Sequence, residues 1–404
     1  MKKAIALILL LSTSTSFAGD KPVHVSIFSG QSNMALDAKA MNALGMAKRS
    51  VILPFVGLVL ACTTHLAGQE SPYAEGFPPP VPSPKSPGID LERNEQGFLV
   101  RSEESHKEAA ARVRDYLQTQ YLPKVREHYP EQDSTSIKLA AQPPVDGLDV
   151  HENLVYARWG KRAMLLDLYL PRREDKERLP LVIFIHGGGW VRGSHRGYRP
   201  AAIAFAKRGF ATATVEYRLA GEAMFPAAIY DAKAAIRWLR AHAQNFHLDP
   251  DRFGITGGSA GGNIAVLTAV TFGDSRFEGP GNHLDQSSEI QCVVSLYGAM
   301  SWTASPWTNS KPGSDLMNET LPDFHIANGS HLPPILFLNE WDRRKDRRWG
   351  AGTMAIIKKV GKEDCAELTL INAPHGFLYF SPHQAIALDH LEKFFGRHLG
   401  QKSE

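Results

Sequence analysis

The sequence predicts an α/β fold with a mostly parallel central sheet flanked by helices. Short, continuously apolar runs such as 181–185 and 210–216 have the composition of strands that are buried on both faces of a sheet. Helix-forming stretches, for example 200–207, separate these runs, and such alternation is typical of a parallel sheet covered by helices. The chain has 404 residues, of which 43% are hydrophobic, so a largely disordered protein is excluded.

The predicted elements follow one another from residue 150 onward. Strands at 150–158 and 163–169 flank Gly160 and should form a hairpin. Pro226 opens a long helix that ends before Pro250. Further strands are expected at 253–256, 293–297, 335–338 and 368–371, and a helix at 263–270.

The N-terminus has the features of export signals. Lys2 and Lys3 precede an apolar run and then small residues, so residues 1–18 are expected to be a secretory signal peptide. Residues 46–68 contain a second apolar run, too short to cross a bilayer, that ends at Cys62. This run resembles a bacterial lipoprotein signal with a lipid anchor at Cys62, or is an apolar stretch with a stray cysteine. We expect an exported protein, which would be periplasmic, extracellular or a cell-surface lipoprotein.

An isolated fragment, residues 19–45, lies between these two signals. Its sequence IFSGQSNM resembles the nucleophile block of sialate O-acetylesterase-type esterases, in which Ser32 would attack the ester. No convincing histidine block of that type follows near the C-terminus, and a serine without a base is a weak nucleophile. We therefore expect this fragment to be inert.

Residues 69–100 are expected to be a linker, because the run GFPPPVPSPKSPG within it contains six prolines. A helical N-terminal extension, 101–145, follows. Its helix over 103–121 should end at Pro123 and pack on the main domain. The expected apolar stripe of this helix is formed by Val113, Tyr116, Leu117 and Tyr121.

Charge and cysteine content exclude several classes of function. The 45 basic and 42 acidic residues nearly cancel, and without a long basic block there is no electrostatic footprint for nucleic acid. Cys62, Cys292 and Cys365 are too few for a disulfide framework or a four-cysteine zinc site.

Ser259 is the candidate nucleophile. It lies at the centre of Gly257-Gly258-Ser259-Ala260-Gly261, which satisfies GxSxG between a predicted strand and a predicted helix. On such a sharp turn the serine hydroxyl is exposed, and the backbone is tolerable only if the neighbouring residues are small.

The glycine turn His186-Gly187-Gly188-Gly189-Trp190 follows the strand 181–185. Its amides, together with the N–H of Ala260, could hold a developing oxyanion. A phosphate-binding turn is the alternative, but the spacing of the known phosphate loops is absent. His186 is expected to orient this loop rather than to act as a base.

His375 follows the last predicted strand and is the candidate general base. The acid should come from the loop after the strand at 335–338. We expect Asp342, with Asp346 as a close competitor and Glu340 a distant third. The acid would fix the imidazole tautomer and stabilise its cation.

In this order, HGGGW, EYRL, GGSAGG and HGF resemble the α/β-hydrolase superfamily, in particular its hormone-sensitive-lipase-like members and bacterial feruloyl and acetylxylan esterases. The resemblance covers the expected catalytic domain, 146–404. It implies an α/β-hydrolase fold, a Ser259-His375 pair, no metal or organic cofactor, and an oxyanion hole formed by Gly188, Gly189 and Ala260. The acid block departs from many relatives, which have a proline after the aspartate where this chain has Arg343.

These observations predict a secreted serine carboxylesterase that acts through an acyl-enzyme. Trp190, Trp302 and Trp341 could bind a sugar or aryl acyl group, or could simply pack. Export and the family resemblance favour acetyl or feruloyl groups on plant polysaccharide. A secreted serine peptidase of the same fold and an inactive binding module are the alternatives.

Overall fold

The computed structural model describes residues 25–29, 32–36, 91–101, 103–128, 136–175, 177–300, 307–308, 314–329, 331–341, 351–362, 364–371 and 373–400. The chain divides into two compact units, Met1–Ala74 and Glu75–Glu404. The expected signal peptide, the second signal with Cys62, and residues 69–90 of the expected linker lie outside the described residues.

The first unit contains one described hairpin, in the fragment that carries GQSN. Strands β1 (Val25–Ser29) and β2 (Ser32–Leu36) pair antiparallel, with Ser29 opposite Ser32. Ser32 is therefore the first residue of a strand.

The second unit is built on a ten-stranded sheet. Its strands are β3 (Leu91–Arg93), β4 (Leu99–Arg101), β6 (Leu148–Trp159), β7 (Arg162–Pro171), β8 (Leu179–Ile185), β9 (Ala211–Val215), β10 (Leu248–Gly258), β11 (Cys292–Leu296), β12 (Ile335–Trp341) and β13 (Cys365–Ile371). Their order across the sheet is β13-β12-β11-β10-β8-β9-β7-β6-β4-β3. The six strands from β13 to β9 are parallel, and the four from β7 to β3 add to them antiparallel. The predicted fold class is confirmed.

Helices cover both faces of this sheet. They are α1 (Glu103–Tyr116), α2 (Leu122–His128), α3 (Arg199–Ala206), α4 (Ala227–Ala241), α5 (Ala260–Val270), α6 (Ser275–Glu278), α7 (Asp315–Glu319), α8 (Pro322–Ala327), α9 (Ala351–Val360) and α10 (His383–Leu399). A short two-stranded sheet pairs β5 (Lys138–Leu139) with β14 (Phe380–Ser381).

Strand β8 shows why the parallel strands are continuously apolar. Leu181, Ile183 and Ile185 pack into the core beneath α4 and α5, whereas Val182 and Phe184 point to the other face and pack with α3 and α10. Side chains alternate along a strand, so a strand that is covered on both faces needs an apolar residue at every position.

Two expectations for the N-terminal part of this unit were wrong. Residues 91–100, assigned to the linker, form the hairpin β3–β4 together with Arg101, and Val100 pairs with Leu154 of β6. The helix does not end at Pro123 either, because a π-helical turn over Leu117–Tyr121 leads directly into α2. Pro123 is the second residue of α2 and donates no backbone hydrogen bond, while Leu122 N–H before it donates to the Leu117 carbonyl of the π-helical turn.

Candidate active site

Ser259 lies on the sharp turn between β10 and α5, as predicted. Its backbone angles, φ 55° and ψ −120°, are strained for a residue other than glycine. The flanking glycines are required because the turn is packed against β8: a Cβ at Gly257 would lie 2.8 Å from the carbonyl oxygen of Ile185, and one at Gly261 would lie 2.5 Å from that of His186. The turn therefore presents the Ser259 hydroxyl beyond the end of the parallel strands.

His375 meets this hydroxyl from the loop that follows β13. Its Nε2 lies 3.0 Å from Ser259 Oγ, although 116 positions separate the two residues in the sequence. The His375 side chain is 42% exposed, so it borders on solvent and can be reached by a substrate. The expected pair of nucleophile and base is thus within hydrogen-bonding distance.

Glu340 takes the position expected for Asp342, which is a correction to the sequence analysis. Its Oε1 lies 2.8 Å from His375 Nδ1, and its side chain is only 7% exposed. Because a carboxylate only accepts hydrogen bonds, Nδ1–H donates to Glu340, and Nε2 is left to accept from the serine. Asp342 and Asp346 lie outside the described residues.

The length and alternation of β12 explain this difference. The strand was expected to end at Leu338 but continues to Trp341, so Glu340 is part of the strand and not of the following loop. Leu336 and Leu338 belong to the core on the side of the His375 loop. Glu340 is two residues further along the strand and therefore points to the same side. The alternation of side chains could be read from the sequence, but the residue at which the strand ends could not.

The glycine turn after β8 lies directly beside the nucleophile. A Cβ at Gly187 would lie 2.7 Å from the carbonyl oxygen of Gly258 and 3.4 Å from Ser259 Cβ. Gly188 and Gly189 have positive φ angles of 131° and 63°, and the turn closes where Arg192 N–H donates to the Gly188 carbonyl. Both predicted oxyanion glycines therefore lie on a loop that only glycine can form.

Ala260, the third predicted oxyanion residue, is the first residue of α5. The first backbone N–H groups of a helix have no acceptor within the helix and carry the positive end of its dipole. A developing negative charge beside Ser259 would lie at this helix N-terminus.

His186 has the orienting role expected for it. It is 1% exposed, its Nδ1–H donates to the Gly187 carbonyl at 2.8 Å, and its ring stacks on Tyr217 with the centroids 4.2 Å apart. Burial lowers its pKa to about 4, so the ring is neutral at pH 7.

Of the three tryptophans expected to bind substrate, only Trp190 has a described side chain. Trp190 is 3% exposed and stacks on Trp307 with ring centroids 5.1 Å apart, so most of its surface is used for packing. Trp341 is the last residue of β12, and its side chain lies outside the described residues, as does Trp302. Substrate contact by these three residues stays a prediction.

Tyr297 is an active-site neighbour that the sequence analysis missed. It follows β11 with a positive φ of 39°, and its ring meets the His375 ring edge to face at 5.0 Å. Its Oη lies 3.1 Å from that of Tyr198, within the core. A tyrosine after an apolar strand looks like an ordinary core residue, so only the fold places it against His375.

The EYRL motif anchors the sheet beside the site. Arg218 and Asp231 are 2% and 0% exposed and form an ion pair at 2.8 Å, and the Arg218 guanidinium lies 4.2 Å from the centre of the Trp159 ring. The pair joins the loop after β9 to α4. Its contacts are structural and involve no group of the Ser259 site.

Within the described residues, no group of three or more histidines, cysteines, aspartates or glutamates is arranged to hold a metal ion. In that same part of the chain, every helix is too short or too polar to be a membrane span.

Parts of this chain are similar in sequence to a protein family and to curated proteins. The BD-FAE protein family matches residues 166–333. The probable carboxylic ester hydrolase LipM of Mycobacterium tuberculosis is 35% identical over 155 residues, which are 37% of this chain and 35% of LipM. Esterase LipQ of the same organism is 33% identical over 244 residues, 54% of this chain and 55% of LipQ. The chain thus spans about a third to a half of the length of these curated relatives.

Solved structures share the fold of the larger unit. Esterase 2 of Thermogutta terrifontis superimposes with a TM-score of 0.54 at 24% identity, over 66% of this chain and all of that one. A truncated carbohydrate esterase from gut microbiota gives a TM-score of 0.54 at 24% identity, over 63% of this chain and 99% of that one.

Proposed function

We propose that this chain, whose residues 166–333 match the BD-FAE family, is an exported serine carboxylesterase of the α/β-hydrolase superfamily that removes acyl groups from plant polysaccharide. The observation that carries the esterase proposal is the hydrogen-bonded series Ser259–His375–Glu340, with the serine on a strained turn at the strand ends. Relatives named as ester hydrolases support the same activity.

The contacts at the site support a double-displacement mechanism. His375 Nε2 takes the proton of Ser259 as Oγ attacks the ester carbonyl, and Glu340 stabilises the resulting imidazolium. The oxyanion would rest on the amides of Gly188, Gly189 and Ala260. The protonated His375 then returns its proton to the leaving alcohol, and water repeats the sequence to release the acid.

The choice of polysaccharide esters rests on three supports. One structural neighbour is named as a carbohydrate esterase, and another, from Bacteroides eggerthii, as a bifunctional GH43-CE protein. The expected signal peptide at 1–18 and the second signal at 46–68 would export the chain to where such polymers occur. Aromatic rings can stack on sugar or aryl groups, and Trp302, Trp341 and the small exposed part of Trp190 would make these contacts.

A panel of substrates tests this proposal. Purified protein is assayed on p-nitrophenyl acetate, acetylated xylan and a feruloylated oligosaccharide, with aminoacyl amides as the peptidase comparison. We expect turnover of the aryl ester and of at least one polysaccharide ester. Faster cleavage of the amides would favour the peptidase alternative, and failure to label Ser259 with a fluorophosphonate would favour the inactive binding module.

Export is tested separately by intact-mass measurement on material recovered from the host. A mass that corresponds to cleavage after Ala18, or to a lipidated Cys62, would support the respective signal. A cytoplasmic product that retains residues 1–18 would contradict it.

A further inference from the structure

Tyr121 connects the N-terminal extension to the catalytic loop. It is the last residue of the π-helical turn between α1 and α2, and its Oη donates a hydrogen bond to the backbone carbonyl of His375 at 3.0 Å. The two residues are 254 positions apart. The hydrogen bond therefore joins the helical segment that precedes the main sheet to the loop that carries the candidate base.

The turn after His375 fits closely against this tyrosine. Gly376 has a left-handed φ of 79°, and a Cβ at this position would lie 2.6 Å from Tyr121 Oη. The Gly376 carbonyl accepts the N–H of Tyr379, which closes the turn. A glycine is required here both by the backbone angle and by the approach of Tyr121.

The extension holds the end of the same loop by three further contacts. Strand β5 pairs with β14, and Ala140 N–H donates to the Tyr379 carbonyl at 2.9 Å. Phe380 is fully buried in a small core built by the extension, where it stacks on the Tyr121 ring at 5.7 Å. The other members of that core are Leu122, Val125 and Ile137.

A second set of contacts, made by aromatic side chains, connects this loop to the catalytic histidine. The Tyr379 ring lies 4.9 Å from that of Tyr198, whose Oη meets Tyr297 Oη at 3.1 Å. Tyr297 in turn packs edge to face on the His375 ring. The backbone of His375 is thus fixed by Tyr121 and its ring by Tyr297, both within one aromatic cluster.

We infer that Tyr121 is a positioning residue for the catalytic base: its hydrogen bond to the His375 carbonyl holds the loop so that Nε2 faces Ser259 Oγ. The His375 side chain is 42% exposed, so the contacts of its ring with Glu340 and Tyr297 are supplemented by the position of the loop backbone. Small displacements of a catalytic group cost rate, with about 1 Å worth up to about 100-fold. The inference rests on the proposed esterase mechanism.

The test replaces Tyr121 by phenylalanine in the full chain, which removes the hydroxyl and keeps the ring stacked on Phe380. We expect kcat on p-nitrophenyl acetate to fall about 10-fold, which is less than the roughly 10²- to 10⁴-fold that general-base catalysis contributes, while KM stays within about twofold. The rate constant for labelling by a fluorophosphonate should fall by a similar factor. The matched control is Tyr116→Phe on the same segment, where the ring against Arg192 is retained and kcat should be unchanged.

Active sites are counted by the end point of fluorophosphonate labelling, so that kcat refers to competent molecules even if the variant is less stable. A kcat of Tyr121→Phe within about twofold of the wild type would overturn the inference. So would a loss that disappears when activity is expressed per labelled site. A wild-type protein without esterase activity would instead refute the proposed function.

Discussion

Replacing Glu340 by glutamine tests whether Glu340, and not the expected Asp342, is the carboxylate that acts on His375. The substitution keeps the size of the side chain but removes its charge. A glutamine amide can also donate to Nδ1, which favours the tautomer with a proton on Nε2. That tautomer cannot accept the proton of Ser259.

The magnitude follows from the geometry. Glu340 Oε1 lies 2.8 Å from Nδ1 on a side chain that is 7% exposed. Unit charges about 4 Å apart interact by roughly 4 kcal/mol at an effective dielectric constant near 20. At 1.36 kcal/mol per tenfold change in rate, loss of this stabilisation of the imidazolium corresponds to about 10³ in kcat. The wrong tautomer adds to this loss, and removal of the acid in a serine protease triad costs about 10⁴.

The assay is steady-state hydrolysis of p-nitrophenyl acetate by Glu340→Gln, with Asp342→Asn and Asp346→Asn as matched controls. We expect a fall of about 10³ to 10⁴ for Glu340→Gln and little change for either control, with unaltered thermal unfolding. A large loss in Asp342→Asn together with near-normal activity of Glu340→Gln would refute the reasoning. It would mean that the loop rearranges to bring the aspartate to His375.

Three other substitutions and a pH dependence follow from the same structure. Ser259→Ala should abolish ester hydrolysis and fluorophosphonate labelling because it removes the hydroxyl that lies 3.0 Å from His375 Nε2, and persistent turnover would refute the assignment. Asp231→Ala should lower the free energy of unfolding by about 3–5 kcal/mol in urea, because it leaves the Arg218 guanidinium buried without its ion pair; a loss below 1 kcal/mol would show that water reaches the pair. His186, buried with a pKa of about 4 against 6.5 for a free histidine, binds fewer protons when folded than when unfolded. Its contribution to stability is complete above pH 6.5 and decreases by about 3 kcal/mol as the pH falls to 4. Urea titrations across this range should show a smaller decrease for His186→Gln than for the wild type, and identical slopes would contradict the pKa.

The strands and the turns at their ends were predictable because their causes are local. A strand buried on both faces must be apolar at every position, and β8 meets this condition with Leu181 to Ile185. The Ser259 turn needs small neighbours for steric reasons, and the glycine turn needs positive φ at Gly188 and Gly189. These requirements leave a pattern in the sequence that is independent of the rest of the chain.

The acid and the positioning contacts were not predictable, because they depend on where separate segments meet. Glu340 rather than Asp342 faces His375 because β12 continues beyond Leu338, and the strand length depends on its pairing with β13. The role of Tyr121 depends on a contact across 254 positions, which leaves no local pattern. From the sequence, Tyr121 was expected only to lie on the apolar stripe of a helix.

The sequence by itself predicted the fold class, the nucleophile and the base. The first two follow from apolar and steric requirements within a few residues, and the base follows from its place after the last predicted strand. Only the tertiary structure decided which carboxylate orients His375 and which elements hold its loop. The physical reason is that hydrogen bonds between distant segments select residues by reach and direction. Several carboxylates have the right chemistry, but one lies 2.8 Å from Nδ1.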